Sequence, residues 1–123
     1  MMFEEYKQKY DLFLDGIKEL VQLVVKDKRV QRISFYASDS FYGYYLRAYD
    51  SGGREIYTIT CDLSTIIPKM ETYEIDEIRD WIVDWSNYVS IDFHETIADL
   101  IESSGFMYLE GTCEYIRIKP SFS

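Results

Sequence analysis

Phe3, Tyr6, Tyr10, Phe13, Ile17, Leu20 and Val24 follow one another at alternating steps of three and four residues. That is the period of one helix face, so the spacing predicts a helix over residues 3–28, ~40 Å long if unbroken. Leu14, Val21 and Val25 widen the stripe beyond a two-position seam. A wide stripe favours packing on a sheet over a free coiled coil, and a helical dimer seam is its alternative use. Gly16, in the middle, marks a bend or a close contact.

The period then shortens to two. Residues 30–38 put Ile33, Phe35 and Ala37 on one face and Arg32, Ser34 and Tyr36 on the other. Residues 41–50 set Tyr42, Tyr44, Leu46 and Ala48 opposite Tyr45, Arg47 and Tyr49, and residues 54–63 return with Tyr57, Ile59 and Cys61. Asp50-Ser51-Gly52-Gly53 is a strong turn between the last two runs. Connections this short predict an antiparallel meander with the first helix covering one face.

Beyond Pro68, Ile75, Ile78, Trp81, Ile82, Trp85 and Val89 predict a second helix over residues 75–87, with both indoles in the core. Asp92 reads as the N-cap of a third helix. Glu95 stands three residues on, as in a capping box; Phe93, Ile97, Leu100 and Ile101 form the apolar face; Gly105 falls just past the end. Residues 106–110 and 113–119 flank Gly111-Thr112, which reads as a tight hairpin or as one strand with a glycine bulge. The expected fold is a single α+β domain over residues 1–123. Its order is α-β-β-β-α-α-β(β), with a sheet of four to five antiparallel strands.

Composition supports a folded chain: 47% apolar and 28% charged residues in 123 exclude a disordered one. Twelve tyrosines raise the aromatic content to 17%, which suits a small core or a contact surface, because tyrosine is apolar with a wet end. Cys61 and Cys113 have neither zinc spacing nor a disulfide framework, and buried thiols in a reducing cytoplasm are expected. Met1-Met2-Phe3-Glu4-Glu5 lacks the order of a signal peptide, and no apolar run approaches the ~20 residues that span a bilayer. The expected location is therefore cytoplasmic.

Charge changes the picture more. Residues 1–69 hold ten acids and ten bases, whereas Met70 to Ile116 holds twelve acids and only Arg79, a regional balance of −11 in a chain of net −9. Asp76, Glu77, Asp80 and Asp84 share one arc of the second predicted helix; Asp92, Glu95, Asp99 and Glu102 form a row on the third. Like charges one turn apart destabilise a helix by a few tenths of a kcal/mol per pair. From Asp80 to Ile116 no Lys or Arg relieves them. Such rows suit docking against a cationic groove, where carboxylates steer the encounter and occupy phosphate positions. The same charge keeps the chain away from nucleic acid and anionic membranes.

Other candidate chemistry is thinner. Arg32, Tyr36, Tyr45, Arg47, Tyr49 and Arg54 interleave on the outward sheet face and could stack bases or grip a peptide, but cross-strand Tyr and Arg pairs also stabilise a sheet. His94-Glu95 lacks the second histidine of a zinc-protease helix, and no phosphate loop or nucleophile elbow is present. No catalytic residue, cofactor or metal is expected. The predicted order resembles the general plan of several small phage and bacterial inhibitors. That resemblance and the charge imply a non-enzymatic inhibitor of a basic nuclease or other nucleic-acid-handling enzyme, of the anti-CRISPR or toxin-immunity kind. The alternative is an adaptor or oligomerisation domain, a homodimer included, acting through the long helix or the tyrosine-rich sheet.

Overall fold

The computed structural model describes residues 2–69 and 76–118, without the side chains of residues 2 and 3. In chain order the elements are α1 (Met2–Lys26), β1 (Arg32–Ala37), β2 (Gly43–Tyr49), β3 (Glu55–Asp62), a 3₁₀ turn (Ser64–Ile66), α2 (Asp76–Ser103), β4 (Phe106–Leu109) and β5 (Glu114–Arg117). The strands form one antiparallel sheet in the order β3-β2-β1-β5-β4. The architecture is thus α+β, with two helices on a five-stranded open sheet.

The two-residue alternation places the strands in register as expected. Ile33 lies opposite Ala48 and Tyr115, Phe35 opposite Leu46, and Leu46 opposite Ile59. These side chains form one core with Tyr10, Ile17, Val21 and Val24 of α1 and Trp85, Val89, Phe93, Ile97 and Ile101 of α2. Both helices therefore lie on the same side of the sheet. Ring contacts climb them in the same sense (Tyr6 to Trp81, Tyr10 to Trp85, Phe13 to Phe93), so α1 and α2 run parallel. Arg117 on β5 closes the end of α1. Its guanidinium donates to the carbonyl of Val25 (3.0 Å), one of those a helix end leaves unpaired, and to those of Asp27 (3.1 Å) and Val30 (2.7 Å) in the connection to β1.

Several expectations need correction. The second and third helices are a single helix of 28 residues. Asp76 to Ser103 contains no Gly or Pro, and Ile82, Trp85, Val89, Phe93, Ile97 and Ile101 are all buried at steps of three or four. Each such side chain contributes about 1.5–3 kcal/mol on burial, whereas an N-cap contributes about 1 kcal/mol. Continuous packing therefore wins over a cap, and Asp92 accepts a hydrogen bond from the Tyr10 hydroxyl instead. The position of Ile75 lies outside the described residues. Gly105 does end the helix, with φ +96°, and its N–H donates to the Glu102 carbonyl.

The C-terminal segment is a β4–β5 hairpin. Cys113 falls in its turn, exposed, with φ +57°, and not inside a strand; Cys61 is buried, and both thiols are free. Of the two indoles, Trp85 is buried and Trp81 is half-buried. Leu20, expected in the α1 stripe, is exposed, and Val21 takes the buried place. α1 runs through Gly16 without interruption, and a Cβ added there would meet no atom within 4 Å.

Candidate interaction surfaces

Continuity of α2 decides how the carboxylates are displayed. At ~100° and ~1.5 Å per residue, Glu77, Asp84, Glu95 and Glu102 fall within ~20° of one line that runs ~37 Å along the helix. Asp80 and Asp99 flank that line by ~40–60° on opposite sides, and Asp76 begins further round. All seven are exposed. Asp80, Asp84, Glu95, Asp99 and Glu102 make no ion pair among the described residues. Two rows expected on separate helices are thus one ridge.

Asp92 leaves that ridge. It is half-buried toward α1, held by Tyr10, and Tyr10 lies edge-on to both Trp85 and Tyr88. Burial first, and then the neighbouring Asp92 carboxylate, push the Tyr10 phenol well above its ordinary value, so it remains a donor. At the far end of α2 the acids oppose the helix dipole. The last turn carries no base, and Asp99 and Glu102 stand near the negative terminus, an arrangement that costs stability.

Beside the ridge, Lys7, Trp81, Asp84, Trp85 and Tyr88 line a cleft of about 310 Å³ between the helices. The Trp81 and Trp85 rings lie nearly parallel with centroids 6.1 Å apart, and Tyr88 follows 5.7 Å from Trp85. The Trp85 indole N–H donates to the Ile66 carbonyl at 2.9 Å, which anchors the 3₁₀ turn to α2. Sequence reasoning assigned both indoles to the core and missed this cleft. The signal for it was the spacing of Trp81, Trp85 and Tyr88 beside Asp84.

The opposite side of the sheet is covered by neither helix. Arg32 stacks over Tyr49 (4.3 Å) and pairs with Glu114 (2.8 Å); Arg47 stacks over Tyr45 (5.2 Å) and pairs with Glu55 (3.1 Å). Tyr36 leans on Tyr45 at 5.8 Å. Each of these two arginines is therefore paired with a cross-strand acid and held against a ring, Arg32 on that of the neighbouring strand and Arg47 on that of its own strand two residues back, which stabilises the sheet. Met107 and Ile118 add exposed apolar surface at the β4 side.

His94 lies flat against Phe35 (5.3 Å) and tilts toward Tyr44 (5.7 Å). Cys61 has its thiol pushed up to about 12 by burial alone. Among the described residues no three His, Cys, Asp or Glu cluster as a metal site, and no helix is long and apolar enough to cross a membrane. No protein-family model, curated protein or solved structure matches this chain.

Proposed function

We propose that this protein is a non-catalytic binding domain that presents the α2 ridge to a cationic channel of a nucleic-acid-handling enzyme, and inhibits that enzyme by occupying it. The observation that carries the reading is the single 28-residue helix with seven exposed carboxylates and one arginine. Like-charge repulsion and the opposed dipole both disfavour this arrangement in the free protein. A cationic partner offsets both terms, because its positive charges attract the carboxylates and the negative end of the helix.

The ridge places seven charges over ~39 Å, sparser than the one per ~3.4 Å of a single DNA strand. It would meet several separate basic side chains along a groove and would not reproduce a phosphate ladder. The cleft at Asp84 adds an aromatic anchor: indole and phenol faces beside a carboxylate suit an Arg or Lys side chain of the partner.

Capture of partners at low and high salt, identified by mass spectrometry, finds the target. Binding is then measured for Asp80→Lys/Asp84→Lys, for Asp99→Lys/Glu102→Lys, and for a control pair of exposed acids elsewhere, Asp15→Lys/Asp39→Lys. Each ridge variant should weaken binding roughly tenfold or more, chiefly through slower association, with the control unchanged. Affinity that neither ridge variant nor added salt alters would reduce the ridge to solubility. The uncovered sheet, with its stacked Arg32 and Arg47, would then carry the adaptor reading.

A further inference from the structure

Tyr88 and Ile91 are 52% and 60% exposed, and both stand in the middle of the acidic ridge. Along α2, Glu77, Asp84, Tyr88, Ile91, Glu95 and Glu102 follow at steps of seven, four, three, four and seven residues. At ~100° per residue all six fall within an arc of ~60°, and all six are exposed. The order is acid, acid, apolar, apolar, acid, acid, the same from either end.

Neither apolar residue belongs to the core. Tyr88 turns its ring toward Trp85 but keeps half its surface in solvent. Ile91 is a β-branched residue on open helix surface, where Lys, Glu or Gln favours the helix more. A ridge that served charge alone would carry polar side chains at both places.

We propose that this face receives an α-helix of the partner, one with an apolar pair at its centre and Arg or Lys four and eleven residues beyond that pair on each side. The inference rests on the reading of α2 as the contact surface, and it names the element of the cationic groove that seats there.

Spacing selects a helix. Central steps of four, three and four are those of a helix–helix seam, and they set side chains ~6, ~4.5 and ~6 Å apart along the axis. A second helix repeats those intervals. An extended strand sets same-face side chains ~6.6 Å apart throughout and loses the central pair.

Charge selects the partner. A second copy of this chain is disfavoured, because Asp84 would face Glu95 if the helices ran antiparallel and another Asp84 if they ran parallel. Nucleic acid is repelled by the same carboxylates. Cationic side chains that bracket an apolar pair match Asp84 and Glu95, while the pair itself covers Tyr88 and Ile91 and excludes water from the centre.

The probe is a synthetic Ala/Gln helix that carries a leucine pair and arginines at those spacings. A control peptide of the same composition has the arginines spread around the helix. Anisotropy of the labelled peptides with the full chain should show the patterned one binding about tenfold or more tighter. Ile91→Gln should cut that preference severalfold and leave circular dichroism and salt dependence unchanged, since an apolar contact is lost and no charge. Equal binding of the two peptides, binding of neither, or a preference that Ile91→Gln leaves intact overturns the helix. The ridge reading is decided separately, on the captured target. A target that is weakened by Asp80→Lys/Asp84→Lys yet indifferent to Ile91→Gln would keep that reading and discard this one.

Discussion

Asp27 shows how much one side chain can organise just past a helix end. Its carboxylate accepts from the Arg29 backbone N–H (2.9 Å), Nε (3.1 Å) and Nη2 (2.7 Å), and from the Tyr57 hydroxyl of β3. The Arg29 hydrogen bond first, and then that of Tyr57, hold it below the usual carboxylate range. A carboxyl whose folded pKa is depressed contributes stability that is present above its unfolded value and lost as pH falls through the folded one. Asp27→Asn should therefore lower the melting temperature most at neutral pH, and the difference should shrink as pH falls below ~4. Melting of both proteins across that range checks it. A difference that does not change with pH would mean that packing, and not the charge, ties α1 to β3. Asp27 belongs to no pattern in the sequence, because Arg29 is near it in the chain but Tyr57 reaches it only through the sheet.

Among the elements, α2 differs most from expectation, and its continuity makes a sharp test. Ile91 is 60% exposed and directly precedes Asp92. If a helix began at Asp92, proline at 91 would be tolerated. In the continuous helix Ile91→Pro removes the hydrogen bond to the Asn87 carbonyl and clashes with it, and about 3 kcal/mol of stability should be lost. Ile91→Ala, which leaves the backbone intact, should be close to neutral. Denaturant titration of the two variants distinguishes the cases. Asp92 read as an N-cap because aspartate bonds locally outside helices and Glu95 stands at capping-box spacing. In the fold, Ser86 donates back to the Ile82 carbonyl at 2.7 Å, Ser90 meets the Tyr44 hydroxyl at 3.2 Å and Asp92 holds Tyr10. Their polar groups are satisfied without ending the helix.

For the whole molecule, the dominant long-range term is the field of one acidic helix on an otherwise balanced chain. Self-repulsion along α2 destabilises the free protein, and salt should relieve it. Between ~0.01 M and ~1 M the Debye length falls from ~30 to ~3 Å, so the melting temperature should rise over that interval. Asp84→Asn combined with Asp99→Asn should raise it at low salt, by a few tenths of a kcal/mol per like-charge contact removed, and have little effect at high salt. A melting temperature that falls with salt in the wild type would show that attractive pairs outweigh the ridge. The distribution also gives the molecule distinct sides: an acidic ridge on α2, exposed Leu12, Leu20 and Leu23 on α1, and a charge-paired aromatic sheet.

The elements that repeat a local pattern were legible from the chain itself. α1, the β1–β3 meander, the Asp50–Gly53 turn and the Gly105 helix end follow from apolar period and turn chemistry, which act between near neighbours. So did the identity of seven ridge carboxylates, since their charge is written in the residue type. Tertiary structure alone decided the rest. It joined two predicted helices into α2, because burying Val89 and Phe93 in one continuous stripe outweighs an N-cap at Asp92. It turned Asp92 inward to Tyr10, kept Leu20 and Leu23 outside while Val21 went in, and placed β5 between β1 and β4. Each of these depends on what lies across the core from a residue, and that partner is distant in the chain.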